Sequence, residues 1–341
     1  MIRPGARNAI TDVPGIKVGA ASDLAARTGV TVIVPDERAV AAVDVRGGGP
    51  GTRETDLLQP DALVDAVDAI VLSGGSVYGL AAADGVVAAL AEQGRGFRPS
   101  PSALIPSPIV PAAILYDLAN EGDKGWGRTP PYRRLGEQAF DALSLDVELG
   151  NAGAGFGAKA GGFKGGQGSA SIVSSEGVTV GALACVNSFG SVLMPNSRAF
   201  WAWPFEIDGE FGGVRPWDDG GFKPFSAEDW GAAKANPAVL QNTTIATIAT
   251  DAALTQAEAK RIAIMAQDGL ARAIRPVHAP YDGDVVFVLS TGAKALAEPR
   301  AFAISHLGSL AADCLARAIA RGVYHAQSLG AAPAYADKSK D

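Results

Sequence analysis

Cysteine and histidine are scarce in this chain: its 341 residues hold two of the first and three of the second. Cys185 and Cys314 lie far apart in apolar surroundings, which excludes a disulfide framework or a thiolate metal site and leaves two buried free thiols. His278, His306 and His325 match no metal-ligand spacing and are assigned to packing or capping, so no metal or organic cofactor is expected. Positive charge is also short. Lys and Arg number 29 against 36 Asp and Glu, a formal net charge of -7. That balance offers no broad field to gather phosphates, and it argues against nucleic acid and against a membrane surface as partners. The longest uncharged stretch, residues 177–197, is interrupted by Gly181, Asn187, Ser188, Gly190 and Pro195, which removes it as a membrane span. The first twelve residues carry no apolar run of the secretory type, and a cytoplasmic location is the expectation.

Apolar residues, by contrast, make up 48% of the chain and charged ones 19%. That supports a large core, and the expectation is one catalytic domain over residues 1–341. Residues 30–34 and 39–45 read as strands bounded by Gly29, Pro35 and Gly47, and 69–72 as another. After Ser73-Gly74-Gly75 the spacing predicts a helix over 77–90. Eight glycines between 153 and 168 demand loop or close-approach backbone. Residues 170–174 and 178–186 read as a hairpin turned by Glu176-Gly177. The stretch 198–237, rich in Trp, Phe, Gly and Pro, has no steady period and reads as a long irregular connection, whose aromatic part 200–230 lines a substrate pocket or shields the junction that follows.

Residues 243–250 (TTIATIAT) form a β-branched run that fits a strand. Thr255 with Glu258 predicts a capping box, and the apolar face from Ala259 to Ile274 predicts a helix that stops before Pro276. A strand over 285–291 and a closing helix ended by Gly322 complete the pattern. Strands in runs, with helices grouped, point to an α/β fold of two sheets or a mixed sheet covered by helices; a four-layer α/β/β/α sandwich fits.

The chemically informative junction is Leu240-Gln241-Asn242-Thr243-Thr244-Ile245, where irregular aromatic sequence gives way to a strand that opens on a hydroxyl residue. A threonine hydroxyl is a weak nucleophile without a base, and a free α-amine on the same residue supplies one. Its ordinary pKa of about 7.7–8.0 lets it take the hydroxyl proton and return it. Pattern alone leaves Thr-Thr at a strand start as ordinary β composition, Asp282-Gly283-Asp284 as a turn, Lys164 as a solvated charge, Asn187 as a loop former and Tyr116 as a half-buried aromatic.

Several motifs in order are more specific. They are Ile10-Thr11-Asp12-Val13-Pro14-Gly15, Arg27-Thr28-Gly29, Val45-Arg46-Gly47-Gly48, Leu72-Ser73-Gly74-Gly75-Ser76, Gly150-Asn151-Ala152-Gly153-Ala154-Gly155, Phe163-Lys164-Gly165-Gly166, Asn242-Thr243-Thr244-Ile245 and His278-Ala279-Pro280-Tyr281-Asp282-Gly283-Asp284. Through them the chain resembles, over nearly its whole length, the self-processing L-aminopeptidase/D-esterases, β-peptidyl aminopeptidases and nylon-oligomer (6-aminohexanoate-oligomer) endohydrolases. The resemblance implies an N-terminal-nucleophile-like sandwich that cleaves itself at Asn242-Thr243 into residues 1–242 and 243–341. It then hydrolyses peptide-like or 6-aminohexanoate-oligomer amides through an acyl-enzyme on Thr243. It further implies that Asn187 helps form the oxyanion hole, that Tyr116 bonds the substrate or the oxyanion, and that Lys164, Asp282 and Asp284 surround and orient the nucleophile. A homo-oligomer, a tetramer by this resemblance, and a small amide or peptide substrate are the implied partners.

Two readings compete with hydrolysis. One is acyl or aminoacyl transfer from the same intermediate to an amine, and the other is a catalytically inactive interaction protein of the same fold. A nucleotide-binding turn at Gly153-x-Gly155-x-x-Ala158 is disfavoured, because more glycine follows it where an amphipathic helix is required.

Overall fold

The computed structural model describes residues 2–100, 102–218, 224–226, 228–234 and 242–340. The chain runs through β1 (Ile16–Asp23), β2 (Thr28–Pro35), β3 (Ala39–Val45), β4 (Thr52–Arg53), β5 (Ala66–Val67), β6 (Ile70–Ser73), α1 (Ala82–Glu92), β7 (Ala112–Ile114) and α2 (Tyr132–Asp141). It continues with β8 (Lys159–Ala160), β9 (Phe163–Lys164), β10 (Gly166–Val173), β11 (Thr179–Asn187), β12 (Thr243–Ala252), α3 (Gln256–Ala273), β13 (Val285–Lys294) and α4 (Arg300–Tyr324).

The period-2 alternation of the central strands builds the layers. In β12, Ile245 and Ala249 face one core while Ala246 and Ile248 face another. The same split occurs in β2, where Ile33 points one way and Val30, Val32 and Val34 the other. A strand that is apolar on both faces needs cover on both, so each sheet has a second sheet on one side and helices on the other. The first sheet has the order β1-β2-β6-β7-β4 and the second β10-β11-β12-β13-β3-β5. Ile33, Leu72, Leu183, Ile245 and Phe287 fill the space between them. Helices α1 and α2 cover the first sheet through Val86, Leu90 and Leu135; α3 and α4 cover the second through Ile262, Leu270, Leu310 and Ile319. Removing each such side chain from water contributes about 1.5–3 kcal/mol. The result is the four-layer α/β/β/α sandwich.

Local signals hold at several points. Thr255 accepts from Glu258 N at 3.3 Å while Glu258 Oε2 accepts from Thr255 N at 2.8 Å, the reciprocal capping box that starts α3. The helix expected after Gly75 opens as a short 3-10 segment, Ser76–Ala81, before α1. Gly166 and Gly168, read from the sequence as loop or close-approach backbone, are the second kind: they lie in strand β10, where a Cβ on Gly168 would fall 1.9 Å from Ala318 O of α4. One expectation needs correction. Gly322 lies inside α4, which runs on to Tyr324, because the helix presses its backbone onto β10 there. No helix of the described residues is long and apolar enough to cross a membrane.

Gly168→Ala should therefore force α4 off the sheet and destabilise the fold by about 1–3 kcal/mol, read as a lower urea midpoint. An unchanged midpoint would show that the helix-sheet contact is loose.

Candidate active site

Strand register places the site. In the antiparallel β11–β12 pair, Asn187 stands opposite Thr243, and the parallel β12–β13 pair begins at Ile245 opposite Val285. An isolated bridge between Asn242 and Asp282 extends this pairing beyond the sheet. Three sequence-distant segments thus converge on the first residue of β12. The loop before β13 is held there by Gly47 and Gly48. Arg46 N donates to Asp284 O at 3.0 Å and Gly49 N to Asp282 O at 2.8 Å. A Cβ on Gly47 would lie 2.3 Å from Asp284 N, so only glycine admits this approach.

Thr243 is buried, and its hydroxyl donates to the carbonyl oxygen of Asn242, the residue before it. The same carbonyl accepts from Gly283 N at 3.0 Å. Asp284 Oδ1 accepts from Thr244 N at 2.8 Å, and its Oδ2 meets His278 Nδ1 at 2.8 Å and accepts from His278 N at 3.2 Å. Asp282 accepts from Ala279 N at 2.9 Å and Phe189 N at 3.4 Å. Burial, and then the neighbouring Asp284 charge, push the Asp282 carboxyl up to about 6. Asn187 is fixed at both ends of its amide: Oδ1 accepts from Lys159 N at 2.9 Å and Nδ2 donates to Tyr116 O at 2.9 Å.

Beside this cluster lies a cavity of about 440 Å³ whose wall includes Tyr116, Asp117, Lys159, Lys164, Asn187 and Lys234. Lys164 is part of this wall, and its amine donates to the main-chain carbonyls of Gly155 at 3.1 Å and Gly165 at 2.8 Å. Burial lowers its amine to about 7, against the pull of Asp117. Asp284 likewise orients the backbone after Thr243 rather than the hydroxyl. Asp117, unmarked in the sequence, is fully buried between Thr28 Oγ1 at 2.6 Å and Gly75 N at 2.7 Å, and burial raises its carboxyl to about 6. His278, which opens the His278–Asp284 motif and was expected only to pack or cap, pairs with Asp284. Lys234 carries no signal in the sequence and donates to Asn242 Oδ1 at 2.7 Å. Burial lowers the Lys234 amine to about 7, with Asp282 opposing. Among the described residues of 198–232, none lines the cavity; Phe200 packs on Tyr324 and Tyr335, and Glu210 pairs with Arg317 of α4. No cluster of three or more metal-ligating side chains occurs among the described residues.

Residues 8–334 match the profile of peptidase family S58. The chain belongs to that family. An aminopeptidase of Mycobacterium tuberculosis (strain ATCC 25618 / H37Rv), described as uncharacterized, is 44% identical over 97% of each chain. A 6-aminohexanoate-oligomer endohydrolase of Kocuria sp. (strain KY2) is 30% identical over 82% of this chain and 74% of its own. Among solved structures, a Burkholderia sp. beta-aminopeptidase superposes with a TM-score of 0.68 at 26% identity, covering 95% of this chain and 88% of that one. The L-aminopeptidase D-Ala-esterase/amidase of Ochrobactrum anthropi, a variant of the Ntn hydrolase fold, gives 0.70 at 22% identity over 97% and 90%, a likeness of fold. Membership in S58 makes this chain a peptidase-type amide hydrolase, and its sandwich is of the N-terminal-nucleophile kind.

In this S58 chain the Asp117 carboxyl sits above its ordinary 3.8 at about 6, so the folded state keeps a proton that the unfolded chain has already released. The resulting stabilisation is full below about pH 4 and is lost as pH rises to 6. Asp117→Asn should remove that slope. The urea stability of the variant relative to wild type should rise by on the order of 2 kcal/mol between pH 4 and 6.5, whereas a pH-independent difference would contradict the assignment.

Proposed function

We propose that this chain cuts its own Asn242-Thr243 bond and then works as an aminopeptidase or amidase with Thr243 as its amino-terminal nucleophile. The observation that carries the reading is the Thr243 hydroxyl lying against the Asn242 carbonyl within a peptidase of family S58. In self-cleavage, Oγ1 attacks the Asn242 carbonyl carbon and the C–O bond forms as the C–N bond breaks. The hydroxyl proton ends on the Thr243 nitrogen, leaving an ester. Gly283 N, already bonded to that carbonyl oxygen, stabilises the negative charge it gains. Water then adds to the ester carbonyl, the ester C–O bond breaks, a proton returns to Oγ1, and Asn242 leaves as a carboxylate.

The freed α-amine becomes the base for turnover. It takes the Oγ1 proton as the hydroxyl attacks a substrate amide, then gives it to the departing amine; water releases the acyl group. Asn187 donates to the substrate oxyanion, and the adjoining cavity receives the substrate, with Tyr116 and Lys164 in its wall. Asp284 and Asp282 hold the strand start and the loop in place around the amine. Short peptides and 6-aminohexanoate-oligomer amides are the substrate class, by the likeness to aminopeptidases and to the Kocuria enzyme.

Thr243→Ala should abolish both self-cleavage and turnover, while Thr243→Ser should keep both; electrophoresis and an amide-hydrolysis assay read the two effects. Near wild-type hydrolysis by T243A would overturn the reading. Asn187→Ala should lower kcat by about 10²–10³-fold with a smaller change in KM. An effect on KM alone would move Asn187 from the oxyanion to substrate binding.

A further inference from the structure

Lys234 reaches from the segment before the scissile bond to the side chain of Asn242, eight positions along the chain, and its Nζ lies 2.7 Å from Asn242 Oδ1. The lysine is itself anchored. Its backbone N donates to Phe189 O at 3.0 Å, and two residues earlier the carbonyl of Ala232 accepts from Gly162 N at 2.6 Å. Asn242 is buried, and its Nδ2 has no hydrogen-bond partner among the described residues, so among them the bond from Lys234 is the polar restraint on that side chain. The main chain of Asn242 is held from the opposite side by the bridge to Asp282 and by Gly283 N on its carbonyl oxygen.

We infer that Lys234 is a positioning residue for self-cleavage, a tether that clamps the Asn242 side chain and so aims the scissile carbonyl at the Thr243 hydroxyl. This rests on the proposed Asn242-Thr243 cleavage. A carbonyl that must meet both a nucleophile and a hydrogen-bond donor tolerates little rotation about the Asn242 backbone. A side chain pinned through its amide oxygen removes one freedom that would let it turn away. The amine serves in either protonation form, since both carry N–H donors. Asn242 suits the role because its side chain offers an acceptor on a short, stiff arm. Alanine at 242 would offer none.

The test follows self-cleavage of freshly translated full-length chain by electrophoresis. Lys234→Met and Asn242→Ala should each slow the appearance of the two fragments by about ten- to hundred-fold. The double variant should be no slower than the slower single one, because both changes delete the same contact. Lys234→Arg, which keeps a donor at that end, should recover most of the rate; a merely structural lysine would show neither this rescue nor the non-additivity. Cleavage by K234M at the wild-type rate, or a double variant slowed by the product of the two single effects, would overturn the inference while leaving the Thr243 reading intact. If K234M does not fold, N242A carries the test alone, and a wild-type rate in it overturns the inference. A wild-type chain that never cleaves refutes the underlying reading instead.

Discussion

A strand buried on both faces cannot slide. β12 lies between β11 and β13 in the middle of the second sheet, with helices over one side and the first sheet over the other, and a slip of one residue would turn its whole apolar set to the wrong core. That constraint fixes Thr243 opposite Asn187 and brings the Asp282–Asp284 loop alongside. These residues inherit their positions from packing spread over the entire sandwich, and the hydroxyl of Thr243 rests against the Asn242 carbonyl as a consequence.

The same burial sets the electrostatics. Lys164 and Lys234 are pushed down to about 7 while Asp117 and Asp282 are pushed up to about 6, each chiefly by removal from water. Charged forms in such a place raise the free energy of the fold, and groups poised near neutrality gather where proton transfer is needed. The proposed shuttle of one proton among hydroxyl, amine and leaving group would gain from a surrounding that holds charges weakly.

Much of the architecture was legible in the chain. β-branched runs and period-2 alternation marked β2, β3, β12 and β13, and Thr255 with Glu258 marked the start of α3 down to its capping bonds. The signal failed where the reason was tertiary. Gly322 read locally as a helix end, yet it sits within α4 because its backbone touches β10 there, the close approach that the glycines at 166 and 168 had allowed for. The site was half visible. Thr243, Asn242, Asp282 and Asp284 were marked by ordered motifs and Asn187 by the resemblance, and strand register brings them together. Lys164 turns its amine to Gly155 O and Gly165 O in the cavity wall. Lys234 and Asp117 carried no local mark, and His278 was marked only as the start of a motif and not by its role: an isolated lysine, an aspartate after a tyrosine and a histidine without ligand spacing acquire meaning from what the fold places beside them.

The central claim is that hydroxyl and base reside on one residue, and it is met most directly by chemical modification of the α-amine. Active protein would be treated at neutral pH with a limiting amine-acylating reagent, and peptide mass mapping of the 243–341 fragment would be followed alongside hydrolysis of an amide substrate. The account predicts that activity falls in proportion to label on the Thr243 nitrogen and is protected by substrate. Full activity in protein whose Thr243 amine is wholly blocked, or active protein in which that nitrogen is still bound to Asn242, would contradict it.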